Sequence, residues 1–163
     1  MSRGCLTAST GADIMLYLFA LLIGVVAGLR AITPLAAISL AAWLGWIDLS
    51  ASPLSFVGHI ITLVVLTLLA IAELVTDQLP NTPSRKVPMQ FGTRIVVGAL
   101  AGGLLTGDWI IGGILGAIGA VIGTLAGAEL RSRLARAFGR DLPAALLEDA
   151  VAVLGAILIV YLA

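Results

Sequence analysis

Glu73 and Asp77 stand four residues apart, on one face of any helix that holds them. Glu148 and Asp149 interrupt the otherwise apolar stretch 142–163, about 9 Å in from its start at helical rise. Arg30 and Arg94 each follow a glycine by two residues, in Gly28-Leu29-Arg30 and Gly92-Thr93-Arg94. A charge at mid-membrane costs about 2.5–3.5 kcal/mol on insertion scales, so embedded charges are rare and mark function. Arg30, Glu73, Asp77, Glu148 and Asp149 are therefore the candidate residues for binding an ion, a proton or an anionic headgroup. An Arg beside a helix N-terminus favours the anion, because free backbone N–H groups add positive potential there. The competing reading is structural: ion pairs such as Arg30 with Glu73 and Arg94 with Glu129 that fix helix register.

Glu148 and Asp149 are adjacent, so they point about 100° apart and cannot both face one partner. Glu148 is the expected inward one, with Arg30 as its cation and Glu73 alongside. Two carboxylates around one guanidinium would leave one acid to hold a proton or a cation.

The rest of the chain says what must position these charges. Of its 163 residues 60% are apolar, 11% charged and 6% aromatic, with nine Lys+Arg against nine Asp+Glu. A soluble domain is about 45–50% apolar and about 25% charged, so too few polar residues exist to cover a globule. The expected class is all-α, a polytopic helical membrane protein forming one domain over 1–163. Zero net charge excludes nucleic-acid binding by a basic face. A single cysteine, Cys5, excludes a disulfide framework, and with one histidine, His59, no metal site and no cofactor are expected. No Ser-His-Asp set can be assembled, and no enzyme is expected.

A helix needs about 20 apolar residues to cross the bilayer core. The apolar run 14–47 is too long for one helix, and Pro34 breaks it, with Thr33 as the expected cap of the second helix. Six spans are expected at 13–31, 33–47, 57–77, 91–107, 109–130 and 143–162. They gather Arg30, Arg85, Lys86, Arg94, Arg131, Arg133, Arg136 and Arg140 on one side, and Arg3 alone on the other. The positive-inside rule then puts both termini outside, in the bacterial cytoplasmic membrane. Tyr17, Trp43, Trp46, Trp109 and Tyr161 all fall near the outer boundary.

A weak parallel repeat is visible. Each Gly-x-Arg opening leads through a short and a longer helix to Ala-Glu-Leu (72–74 and 128–130) and then Leu-Pro (79–80 and 142–143). On the fifth helix, Gly112, Gly116, Gly119, Gly123 and Gly127 form one stripe, and Gly98 and Gly102 lie on the fourth. Small residues four apart allow close backbone approach, so these two helices should pack tightly, with a homodimer seam as the lesser reading.

Gly28-Leu29-Arg30 with Pro34, Glu73 and Asp77 before Pro80, and Leu146-Leu147-Glu148-Asp149-Ala150 together resemble the bacterial membrane proteins grouped as domain of unknown function 4126. The resemblance covers about residues 15–160 and implies a small polytopic inner-membrane protein without assigned catalytic residues. The leading functional reading is a small transporter or permease for an ion or small anionic solute. A non-transporting membrane scaffold is the alternative, and a membrane-embedded lipid-modifying enzyme the third. The bilayer is the expected partner.

Overall fold

Thr33 and Pro34 mark where the first apolar run reverses. In the computed structural model, which describes residues 3–77 and 88–163, helix α1 spans Arg3–Leu29 and α2 spans Thr33–Trp43. A short 3-10 turn, Ser55–Gly58, precedes α3 at Ile60–Thr76. Helix α4 is Pro88–Thr106, α5 is Ile111–Phe138 and α6 is Asp141–Leu162. The loop carrying Pro80, Pro83, Arg85 and Lys86 lies outside the described residues.

Four helices are long and apolar enough to cross a membrane: Gly11–Leu29 within α1, Pro88–Thr106, Ile111–Phe138 and Asp141–Leu162. The all-α membrane class thus holds, with six helices among the described residues. The boundaries differ from expectation by four residues or more in three places. Helix α1 starts at Arg3 instead of 13. Helix α5 runs on through Arg131, Arg133 and Arg136, because nothing breaks it before Gly139, whose left-handed φ of 67° suits glycine alone. Helix α2 ends at Trp43 instead of 47, since Gly45 turns the chain with φ 76°. At 11 residues it is about 16 Å long and does not cross a bilayer core by itself.

Two contacts mark one end of the bundle. The Tyr17 hydroxyl donates to Asp108 in the α4–α5 turn, and Trp46 meets Tyr161 edge-on at 5.2 Å. The α1–α2 turn and its charges lie toward the other end. Helices α1 and α5 run parallel, and α4 runs against them.

These three helices make the tightest part of the molecule. A Cβ on Gly116 would collide with the Gly98 backbone carbonyl, and one on Gly24 with the Gly116 carbonyl. Gly119 and Gly123 press on the backbone of α1 at Leu21 and Val25. The glycine stripe therefore packs against α4, as its spacing predicts, and equally against α1. Helices α2 and α6 cover the trio through Ile38, Ala41, Ala152 and Ala156. Helix α3 is attached more loosely. Ala70 is its sole buried residue, while Val64, Leu68 and Ile71 face outward.

Candidate functional site

The site is built at the reversal between α1 and α2. A chain reversal at membrane depth exposes carbonyls at the end of one helix and N–H groups at the start of the next, and lipid can satisfy neither. Arg94, in the second turn of α4, donates from Nη1 to the Gly28 and Leu29 carbonyls at 2.8 and 2.7 Å. Glu73, near the end of α3, accepts from the Ala31 and Ile32 N–H groups at 2.7 and 2.9 Å. Arg94 Nη2 stands 3.9 Å from both the Glu73 and Asp77 carboxylates. Thr124 of α5 bonds Ala120 O at 2.8 Å and lies 3.2 Å from Gly28 O.

Thr33 does not cap α2. Ile32 holds the N-cap position with no side-chain cap bond, and the carboxylate of Glu73, from α3, accepts from the Ala31 and Ile32 N–H groups just before the helix.

Arg30 sits inside the reversal and is fully buried. Its Nη1 pairs with Asp77 at the end of α3, and its Nη2 pairs with Asp149 of α6. The expected Arg30–Glu148 pair is therefore replaced by Arg30–Asp149. Both acids of the dyad are buried, and they diverge as their adjacency requires: Glu148 turns to Arg131, 3.8 Å away on α5. The structural pairs foreseen from sequence also change partners. Glu73 serves backbone N–H groups in place of Arg30, and Glu129 pairs with Arg133 at 2.7 Å in place of Arg94.

Arg131 was missed as a member of the site. It makes a two-pronged bond to Asp141 at 3.0 and 2.6 Å while facing Glu148. Its place directly after Glu129-Leu130, where the apolar run ends, groups it with the exposed arginines further along the helix. Only α6 packing beside it distinguishes it. The two halves of the sequence echo are not equivalent here: Arg30 lies between helices and Arg94 within one, while Glu73 binds the N–H groups of the reversal and Glu129 is exposed.

Among the described residues, two buried side-chain polar atoms have no hydrogen-bond partner, Arg30 Nε and Thr33 Oγ1. Elsewhere, His59 caps α3 through Nδ1, which accepts weakly from Ile61 N–H at 3.4 Å. Asp108 caps α5, accepting from Ile110 and Ile111 N–H at 2.9 and 3.0 Å. Among the described residues no three His, Cys, Asp or Glu side chains group to hold a metal ion.

The arrangement fixes a broken pair of helices with charges drawn from α3, α4 and α6. Fold and site together define a small helical membrane protein with a charged core toward one end. The chain belongs to the family described as domain of unknown function 4126, which matches residues 17–163. No curated protein and no solved structure matches it.

Proposed function

We propose that this protein is a small non-enzymatic carrier of the bacterial cytoplasmic membrane, moving an ion or a small anionic solute. Both termini lie outside and the charged end faces the cytoplasm, in keeping with the basic residues of 131–140. The observation that carries the reading is Arg30. It is a fully buried guanidinium at a helix break, shared by carboxylates of α3 and α6. Discontinuous helices with charged groups at the break are how transporters build sites inside the bilayer. Helix α3 supplies Glu73 and Asp77 yet buries one residue, so it can leave the cluster at little cost in apolar packing. Protonating Asp77 or displacing it with a substrate anion would free the end of α3 from Arg30 and loosen the break, leaving Glu73 as the remaining tie of α3 to the reversal.

The scaffold reading has one observation in its favour. Both terminal nitrogens of Arg30 are already on carboxylates, and Glu148 faces Arg131, so the charges compensate one another within the fold.

Purified protein in proteoliposomes separates the two. Proton flux followed with a trapped pH dye, and uptake of radiolabelled chloride and inorganic phosphate, should exceed empty vesicles. Asp149→Asn should remain folded and lose most of that flux. Absence of wild-type flux for every one of these probes would overturn the carrier in favour of the scaffold.

A further inference from the structure

Between α2, α3 and α6 lies a cleft of about 370 Å³, separate from the charged pairs. It runs along α3 from Leu63 to Leu74, about 16 Å at helical rise. Ala37 and Ala70 form its floor, and Ile71 and Ile157 stand on its rim at the outer surface of the bundle. Except for Thr33 and Thr67, its walls are apolar. Thr33 lies at the charged end, three residues from Arg30, is 6% exposed, and has the unpartnered hydroxyl.

We propose that this cleft holds one acyl chain of a bilayer glycerolipid, with the Thr33 hydroxyl, enclosed as the side chain stands, turning about χ1 to donate to the chain's ester carbonyl. Three observations converge on it. An empty apolar gap of this size between packed helices costs stability, because its lining forfeits contacts on one side. The gap opens onto the surface that faces lipid. Its volume over its length gives a cross-section of about 22 Å², against about 80 Å² for a helix only 10 Å wide, so a helix of a second copy cannot enter it while a single hydrocarbon chain can. The polarity runs the right way too. A lipid of the leaflet at the charged end carries its ester beneath the headgroup and its chain toward the far end. The buried hydroxyl of Thr33 stands at that same ester end of the cleft. The chain would wedge α3 against α2 and α6, where few side chains of α3 reach. This inference does not rest on the carrier reading.

The test is lipid retention by the full chain, measured by native mass spectrometry. Delipidated protein is given ester-linked phosphatidylethanolamine or its ether-linked analogue. Wild type should retain one ester lipid through activation that strips the rest. Ala70→Phe, or Ala36→Leu if the former fails to fold, fills the cleft and should lower that retention about tenfold. Leu125→Phe, on the exposed face of α5 and away from the cleft, should leave it unchanged. Thr33→Val keeps shape and removes the donor, so it should weaken ester-lipid retention and leave ether-lipid retention as in wild type. Equal retention by the cleft and α5 variants would overturn the chain site. Equal loss of ester and ether lipid in Thr33→Val would overturn the carbonyl contact. Dimers that disappear in the cleft variants, with lipid unchanged, would show that a second copy covers the cleft instead.

Discussion

Arg94 and Glu73 satisfy the two sides of the same chain reversal. The arginine donates to the Gly28 and Leu29 carbonyls that end α1, and the glutamate accepts from the Ala31 and Ile32 N–H groups that lead into α2. Their own charges stand 3.9 Å apart. Each therefore serves backbone polar groups first and its counter-charge second. That hierarchy comes from the medium, where an unpaired peptide group has no water to turn to.

Glu73→Gln tests it. The amide offers one acceptor oxygen where the carboxylate offers two, so one backbone N–H loses its partner. The expected loss is about 1–3 kcal/mol of stability. Thermal unfolding in detergent would show it, and an unchanged midpoint would mean that the N–H pair is satisfied without Glu73.

Arg30→Ala leaves buried Asp149 and half-buried Asp77 without their shared cation, which should cost about 3–5 kcal/mol. Arg30→Lys should rescue little, because one ammonium cannot reproduce a fork that reaches Asp77 and Asp149 from separate nitrogens. The check is folded yield on size exclusion: full rescue by lysine would show that charge alone matters there.

The glycine seam predicts a contrast between neighbours on α5. Gly116→Ala drives a methyl group into the Gly98 carbonyl and should cost about 1–3 kcal/mol. Gly113→Ala meets Ala99 O at 3.6 Å, an ordinary contact, and should be tolerated. Comparing their unfolding midpoints decides whether backbone contact or glycine content matters.

Asp108 sets a pH dependence in the α4–α5 turn. The Ile111 N–H, aided by the Ile110 N–H and the Tyr17 hydroxyl and opposed by slight desolvation, holds its carboxyl below the usual value of about 3.9. A depressed carboxylate pKa stabilises the fold above the unfolded value, and that contribution disappears as pH falls through the folded one. Stability from this turn should thus be constant from neutral pH to about 5 and decline below about 4. Asp108→Ala should remove that part of the acid-side decline. An identical acid profile in the variant would show that the cap does not titrate with folding.

Sidedness is testable by labelling. With Cys5 replaced, a cysteine at Ser52 should react in intact cells, and one at Ala137 only after permeabilisation. The reverse pattern would invert the proposed orientation.

What the sequence made legible was whatever depends on near neighbours. Pro34 located the reversal, the 100° step separated Glu148 from Asp149, and the four-residue spacing found the glycine stripe. Which acid meets Arg30 depends on how α6 is rotated against α1 and α3, and no local pattern in 142–163 fixes that. Thr33 fails as a cap of α2 for the same reason: it is a local candidate, whereas the N–H groups of the reversal are taken by Glu73 from another helix. One missed signal was present. Gly24 and Gly28 repeat the four-residue spacing on α1, and they match the stripe of α5 as Gly98 and Gly102 do on α4.

The reversal at Arg30 also imposes an order on biogenesis. A nascent chain is made from its N-terminus. Arg30 is synthesised before any of the groups that hold it: Glu73 and Asp77 arrive with α3, Arg94 with α4 and Asp149 only with α6. Until then its charge and the peptide groups of the turn must stay at the headgroup boundary, where water still reaches them. The buried turn is therefore the last part of the first hairpin to reach its final depth. It should move inward only when the sixth helix supplies the second carboxylate, so the last helix of the bundle completes a structure begun by the first two.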